Sequence, residues 1–123
     1  MQIIRFILGR IILFLDYITS PKPVKIKQKE LDRIMQVTSN MTLYEFKACP
    51  FCVMVRRFMK KNNIHIETKD ARRNHDFASE LISGGGKLQV PCLQIKKSSG
   101  ETIWMYESKD IIKFLTIELG FNR

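Results

Sequence analysis

Cys49 and Cys52 stand two residues apart, with Pro50 and Phe51 between them. Two thiols at that spacing close a disulfide with almost no rearrangement of the chain, so the chemistry they suggest is thiol–disulfide exchange. Their surroundings point the same way. Leu43-Tyr44-Glu45-Phe46 has the composition of a strand, and Val53, Val55, Phe58 and Met59 fit the apolar face of a helix. Pro50 would be the first helical residue, where a missing donor is no loss. Cys49 is then the N-cap, facing free backbone N–H groups and the positive end of the helix dipole, and Lys47 adds a cation two residues upstream. All of these favour a thiolate.

Half of a structural zinc site is the bland alternative. Zinc takes four ligands, often from two such pairs. The chain has only Cys92, His65 and His75 besides, and neither histidine stands at a ligand spacing. A strand–Cys-x-x-Cys–helix context is a redox signature, so no metal is expected. A purely structural bridge closing so short a loop would remove little unfolded-state entropy. Cys92 lies in the apolar run Cys92-Leu93-Gln94-Ile95, where strand alternation favours a core cysteine over a third redox partner.

A second constellation is Tyr106-Glu107-Ser108-Lys109-Asp110, followed by Ile111, Ile112, Phe114, Leu115 and Leu119 at helical spacing. Ser108 is the expected N-cap and Asp110 suits the first turn. A helix start also binds carboxylates, and Glu107 beside it could accept an ammonium. Together they suit an α-amino-acid head group such as the γ-glutamyl end of glutathione.

In order and spacing these elements resemble the glutaredoxins over about Met41 to Leu119. Cys49-Pro50-Phe51-Cys52 is similar to the dithiol motif of that family, and Gln89-Val90-Pro91 stands where the family has Thr-Val-Pro. Val90-Pro91 with Tyr106-Glu107-Ser108 looks closer to the N-terminal domain of glutathione transferases. The stretch from Leu43 to Cys52 also looks like the motif of membrane-associated prostaglandin E synthase type 2. The resemblance implies a glutathione-dependent thiol–disulfide oxidoreductase that reduces protein or glutathione mixed disulfides, with Cys49 attacking and Cys52 resolving. It implies that Pro91 is cis and faces the cysteines, and that Val90 offers its backbone to an extended substrate. Lys47, Gln89, Val90, Pro91, Glu107 and Ser108 are then the expected glutathione contacts, and glutathione the expected reductant. Two other classes remain: a module in which Cys49 and glutathione hold an iron–sulfur cluster, and a membrane-tethered isomerase or transferase-like enzyme.

The elements that position these residues follow from pattern. Strands are expected at 41–46, 64–68, 90–95 and 102–106, and helices at 50–61, 71–83 and 108–119. The expected fold is α/β and thioredoxin-like: a four-stranded mixed sheet flanked by three helices, with an N-terminal hydrophobic helix in addition. Lys97-Ser98-Ser99-Gly100 supplies a hairpin turn, and Gly84-Gly85-Gly86 reads as a helix stop because it lacks the spacing of a phosphate loop. Arg56-Arg57 and Lys60-Lys61 read as a solvated helix face, and Phe77 and Trp104 as packing residues.

The 123 residues divide by composition into a hydrophobic helix at 1–19, a basic linker with a short helix at 20–40, and a domain at 41–123. Net charge is +9, with the basic excess shared between residues 1–40 and 41–123. A positive surface suits anionic ligands, glutathione among them. No interleaved basic–aromatic pattern points to nucleic acid, and none is expected as a partner. Ile3 to Ile18 is apolar except for Arg5, Gly9, Arg10 and Asp16. It would span about 24 Å, short of the roughly 30 Å of a bilayer core, which favours a shallow anchor over a full span. Packing of this helix on the domain or on a partner is the alternative. Lys22, Lys25, Lys27 and Lys29 follow it, so a cytoplasmic domain attached to the cytoplasmic face of the membrane is expected.

Overall fold

The computed structural model describes residues 2–19 and 21–120. Nine elements follow one another: α1 (Gln2–Ile18), α2 (Gln28–Thr38), β1 (Met41–Glu45), α3 (Pro50–Lys61), β2 (Glu67–Asp70), α4 (His75–Gly85), β3 (Cys92–Lys96), β4 (Thr102–Tyr106) and α5 (Ser108–Leu119). The sheet order is β2-β1-β3-β4. β1 and β2 are parallel, joined across α3, and the β1–β3 and β3–β4 pairs are antiparallel. This is the four-stranded mixed sheet of a thioredoxin-like fold.

Strand alternation divides the core into two layers. Leu43 and Leu93 are register partners and face α3 and α5, packing with Val55, Met59, Ile111 and Leu115. The next partners, Tyr44 and Cys92, point through the other face toward Leu81 of α4. Phe77 and Trp104 close over this second layer as packing residues. α2 adds Ile34, fully buried, to the first layer, and Arg33 Nη2 donates to the Leu119 carbonyl at 2.6 Å, satisfying an end-of-helix acceptor of α5.

Three element starts differ from the sequence expectation. Ile64 and Ile66 enter the core as expected of a strand, but ladder pairing begins only at Glu67, because the chain leaves α3 through Asn63 at φ 58. Helix α4 starts four residues later than its apolar pattern. Asp70 Oδ1 first accepts from the amides of Arg72 and Arg73 to form a turn, and Asn74 then caps the helix through Asp76 and Phe77. β3 begins at Cys92, two residues after the expected start.

Helix α1 carries no buried residue. Arg57 holds its end: Nη1 donates to Asp16 Oδ1 at 3.1 Å and Nη2 to the Thr19 carbonyl at 2.8 Å. Between α1, α3 and β2 runs a groove of about 670 Å³, lined by Leu13, Tyr17, Arg56, Met59 and Ile66 among others.

Candidate functional site

Three chain segments meet at one end of the sheet. β1 runs out at Glu45 into the loop that carries Cys49. β3 starts at Cys92, opposite Tyr44 of β1, so Pro91 lies at the same end. β4 delivers Tyr106 opposite Cys92 and passes directly into α5 at Ser108. Topology thus brings residues 49, 91 and 108 together from segments far apart in the chain.

Cys49 is the N-cap of α3 and Pro50 its first helical residue. The Cys49 carbonyl accepts the Val53 amide at 2.9 Å, and its own amide donates to the Phe46 carbonyl at 3.3 Å. No side chain caps this helix, so the positive end of α3 is directed at the Cys49 position. Cys49 is half-buried, and Phe51 beside it is 58% exposed. Cys52, one turn on, is wholly buried.

The two thiols are therefore unequal. Burial pushes the Cys52 thiol up to about 12; the Phe46 amide, which donates to Cys52 Sγ at 3.5 Å, opposes this, while its hydrogen bond and closeness to Cys49 add to it. Cys52 keeps its proton at neutral pH.

The remaining residues of the site occupy its rim. Lys47 is exposed on the loop before Cys49. The Val90–Pro91 peptide bond is cis and Pro91 is buried. Among the described residues the Val90 amide and carbonyl enter no hydrogen bond, which leaves an unused peptide edge. Gln89 Nε2 donates to Glu107 Oε1 at 3.3 Å, linking the segment before β3 to the start of α5. Here the cap differs from expectation. Glu107, at φ 72, is the N-cap, and Ser108 is the first helical residue and buried. No side chain caps α5, so its first amides stay available to an anion.

Cys92 is buried on the α4 face of the sheet, away from α3 and its cysteines. Burial pushes its thiol up to about 11, against a hydrogen bond with Tyr106 and the nearby Lys87 charge. It is a protonated core cysteine.

Arg56 and Arg57 are not a solvated face. Both are half-buried. Arg56 Nη2 donates to the Lys47 carbonyl at 2.7 Å and its Nη1 lies 3.4 Å from Glu45 Oε2, beneath the loop that carries Cys49. Arg57 clamps α1. The spacing held a clue for Arg56: it lies seven residues after Cys49 and four after Cys52, on their side of the helix.

A family model described as Glutaredoxin matches residues 41–99. A solved thioredoxin-like protein is 24% identical, covering 61% of this chain and 97% of its own, with a TM-score of 0.48. A wheat glutaredoxin structure is 20% identical, covering 76% of this chain and 92% of its own, with a TM-score of 0.48. No curated protein sequence matches the chain.

Proposed function

Because residues 41–99 belong to the glutaredoxin family, we propose that this chain is a glutathione-dependent thiol–disulfide oxidoreductase acting through Cys49. The observation that carries this reading is the asymmetry of the pair: a half-buried sulfur at an uncapped helix start, one turn before a wholly buried thiol.

The Cys49 thiolate attacks the glutathione sulfur of a protein–glutathione disulfide. The Cys49–glutathione bond forms as the protein–glutathione bond breaks, and the protein sulfur leaves with the electron pair and takes a proton from solvent. A second glutathione thiolate then attacks the bound glutathione sulfur. Oxidised glutathione leaves and the Cys49 thiolate is restored. On a protein disulfide, Cys49 attacks one sulfur and frees the other as a thiolate; Cys52 must then lose its proton and attack the Cys49 sulfur, expelling the second protein thiolate and leaving the Cys49–Cys52 disulfide, which two glutathiones reduce as they become oxidised glutathione. Burial of Cys52 makes that route the slower one at neutral pH.

The residues present suit glutathione. The free edge of Val90 fits its cysteinyl backbone, the uncapped start of α5 at Ser108 fits the γ-glutamyl carboxylate, and Glu107 fits the ammonium. Pro91 shapes the wall between them, with Lys47 and Gln89 at the edges. A cytoplasmic setting would supply the reductant.

The test is a coupled assay with glutathione and a small glutathione mixed disulfide. Cys49→Ser should lose essentially all turnover, at least roughly 10²-fold. Cys52→Ser should keep most of it and lose turnover of protein disulfides. Equal rates for wild type and Cys49→Ser would refute the assignment.

A further inference from the structure

We propose that α1 is an in-plane docking helix that lays its outward face on an anionic phospholipid bilayer and holds Cys49 at that surface, where it meets the disulfides of membrane-bound proteins. The docking stands on α1 and the basic segment after it. The substrate class rests on the thiol chemistry proposed above.

Helix α1 is inverted relative to an ordinary surface helix. Amphipathic helices of globular domains turn their apolar stripe inward. Here the stripe least exposed to solvent is Gly9, Ile12, Leu13 and Asp16. Asp16 is held by Arg57, and a Cβ placed on Gly9 would lie 3.0 Å from the Cβ of Ala48. At 100° per residue, the arc opposite Gly9 is Ile4, Ile7, Ile11, Phe14 and Ile18. These are 47–63% exposed, and no polar residue interrupts them. The helix thus turns Gly9, Asp16 and only two apolar residues, Ile12 and Leu13, to the domain and leaves its apolar arc uncovered.

Length and charge identify what covers it. Among the described residues no helix is long and apolar enough to cross a membrane, so α1 lies along a surface and not through it. Arg10 sits at the edge of the arc, its guanidinium 5.9 Å from the centre of the Phe6 ring, where a cation can reach headgroups while the ring enters the acyl boundary. Lys22, Lys25, Lys27 and Lys29 follow directly and are all exposed. Anionic lipid attracts such a cluster. A second copy of a chain with net charge +9 would bring the same cations face to face.

Position then gives the consequence. The inner side of α1 rests on Ala48, which precedes Cys49. One helix diameter, about 10 Å, separates that loop from the lipid.

The experiment uses the full chain with vesicles of phosphatidylcholine alone or mixed with phosphatidylglycerol, read by flotation. The chain should float with the mixed vesicles and not with the neutral ones. The double variant Ile7→Asp/Phe14→Asp should float at least roughly tenfold less while turning over a soluble glutathione mixed disulfide at the wild-type rate. Phe14→Trp should show a blue shift of emission with the mixed vesicles. Wild type should also reduce an acylated, vesicle-bound glutathionylated peptide faster than the double variant does. Failure of wild type to float with mixed vesicles, or unchanged flotation of the double variant, overturns the docking. So does a wild-type dimer that the double variant converts to monomer, since a second copy would then cover the arc. Equal rates on the vesicle-bound peptide overturn the substrate class. Absent turnover of the soluble disulfide counts against the thiol chemistry alone, because flotation reads the docking without it.

Discussion

In the chemistry proposed above Cys52 matters as much as Cys49, because its depth fixes its own proton. A thiol with no exposed surface holds its proton. Beneath the same loop lies a less comfortable pair. Glu45 is 4% exposed, and burial raises its carboxyl above its ordinary value of 4.5 against the pull of Arg56. Neither Glu45 Oε2 nor Arg56 Nη1 has a hydrogen-bond partner among the described residues, although they lie 3.4 Å apart. A carboxyl raised on folding binds its proton more tightly in the native state. Its contribution to stability is therefore complete below 4.5 and is lost as pH rises through the higher folded value. Glu45→Gln removes that titration. Urea midpoints measured from below to above that range should fall less steeply with pH for the variant than for wild type. A steeper fall in the variant would mean that Arg56, not burial, governs this carboxyl.

The elements are positioned by contacts that their own patterns do not announce. α4 ends at Gly86, whose φ of 92 is the left-handed stop expected of the glycine run. The two glycines before it serve a different purpose. A Cβ at Gly84 would lie 2.0 Å from Trp104 Cζ2, and one at Gly85 would lie 2.0 Å from the Tyr106 hydroxyl. The last turn of α4 thus packs its backbone directly on β4, the strand that leads into Glu107 and Ser108. Gly84→Ala and Gly85→Ala should each destabilise the fold by roughly 1–3 kcal/mol, even though alanine is the better helix former. Urea denaturation checks this, and a gain in stability would show that the approach is looser. Arg56 acts at the same scale. By donating to the Lys47 carbonyl it ties α3 to the loop at its own N-terminus.

At the scale of the whole molecule, charge and apolar surface are arranged together. The exposed arc of α1 and the loop bearing Cys49 are fixed relative to one another by the Arg57 clamp and the Gly9–Ala48 approach. Lys22, Lys25, Lys27 and Lys29 enter no ion pair among the described residues, so their charge contributes little to folding. Replacing all four with glutamine should leave the urea midpoint unchanged. Each lysine removed should weaken partition onto anionic vesicles by about 1 kcal/mol, roughly fivefold, and raised salt should mimic the substitution. Equal partition of the quadruple variant would leave the apolar arc as the sole source of affinity.

Local chemistry was legible in the chain itself. The span of α3, β4 and α5, Cys49 as an N-cap and Pro50 at the first helical position all follow from neighbours within one turn or one strand, where short-range sterics and periodicity decide. The start of α4 did not, because the Asp70 and Asn74 side chains compete with the helix for its first amides. The cap of α5 moved to Glu107 because that residue takes a positive φ where the strand turns into the helix. Which face Cys92 takes, what Arg56 and Arg57 reach, why Gly84 and Gly85 lack side chains, and which side of α1 meets the domain were decided only by tertiary structure. Each depends on what stands opposite, across contacts between residues distant in the chain, and no periodicity within one segment encodes the partner it will meet.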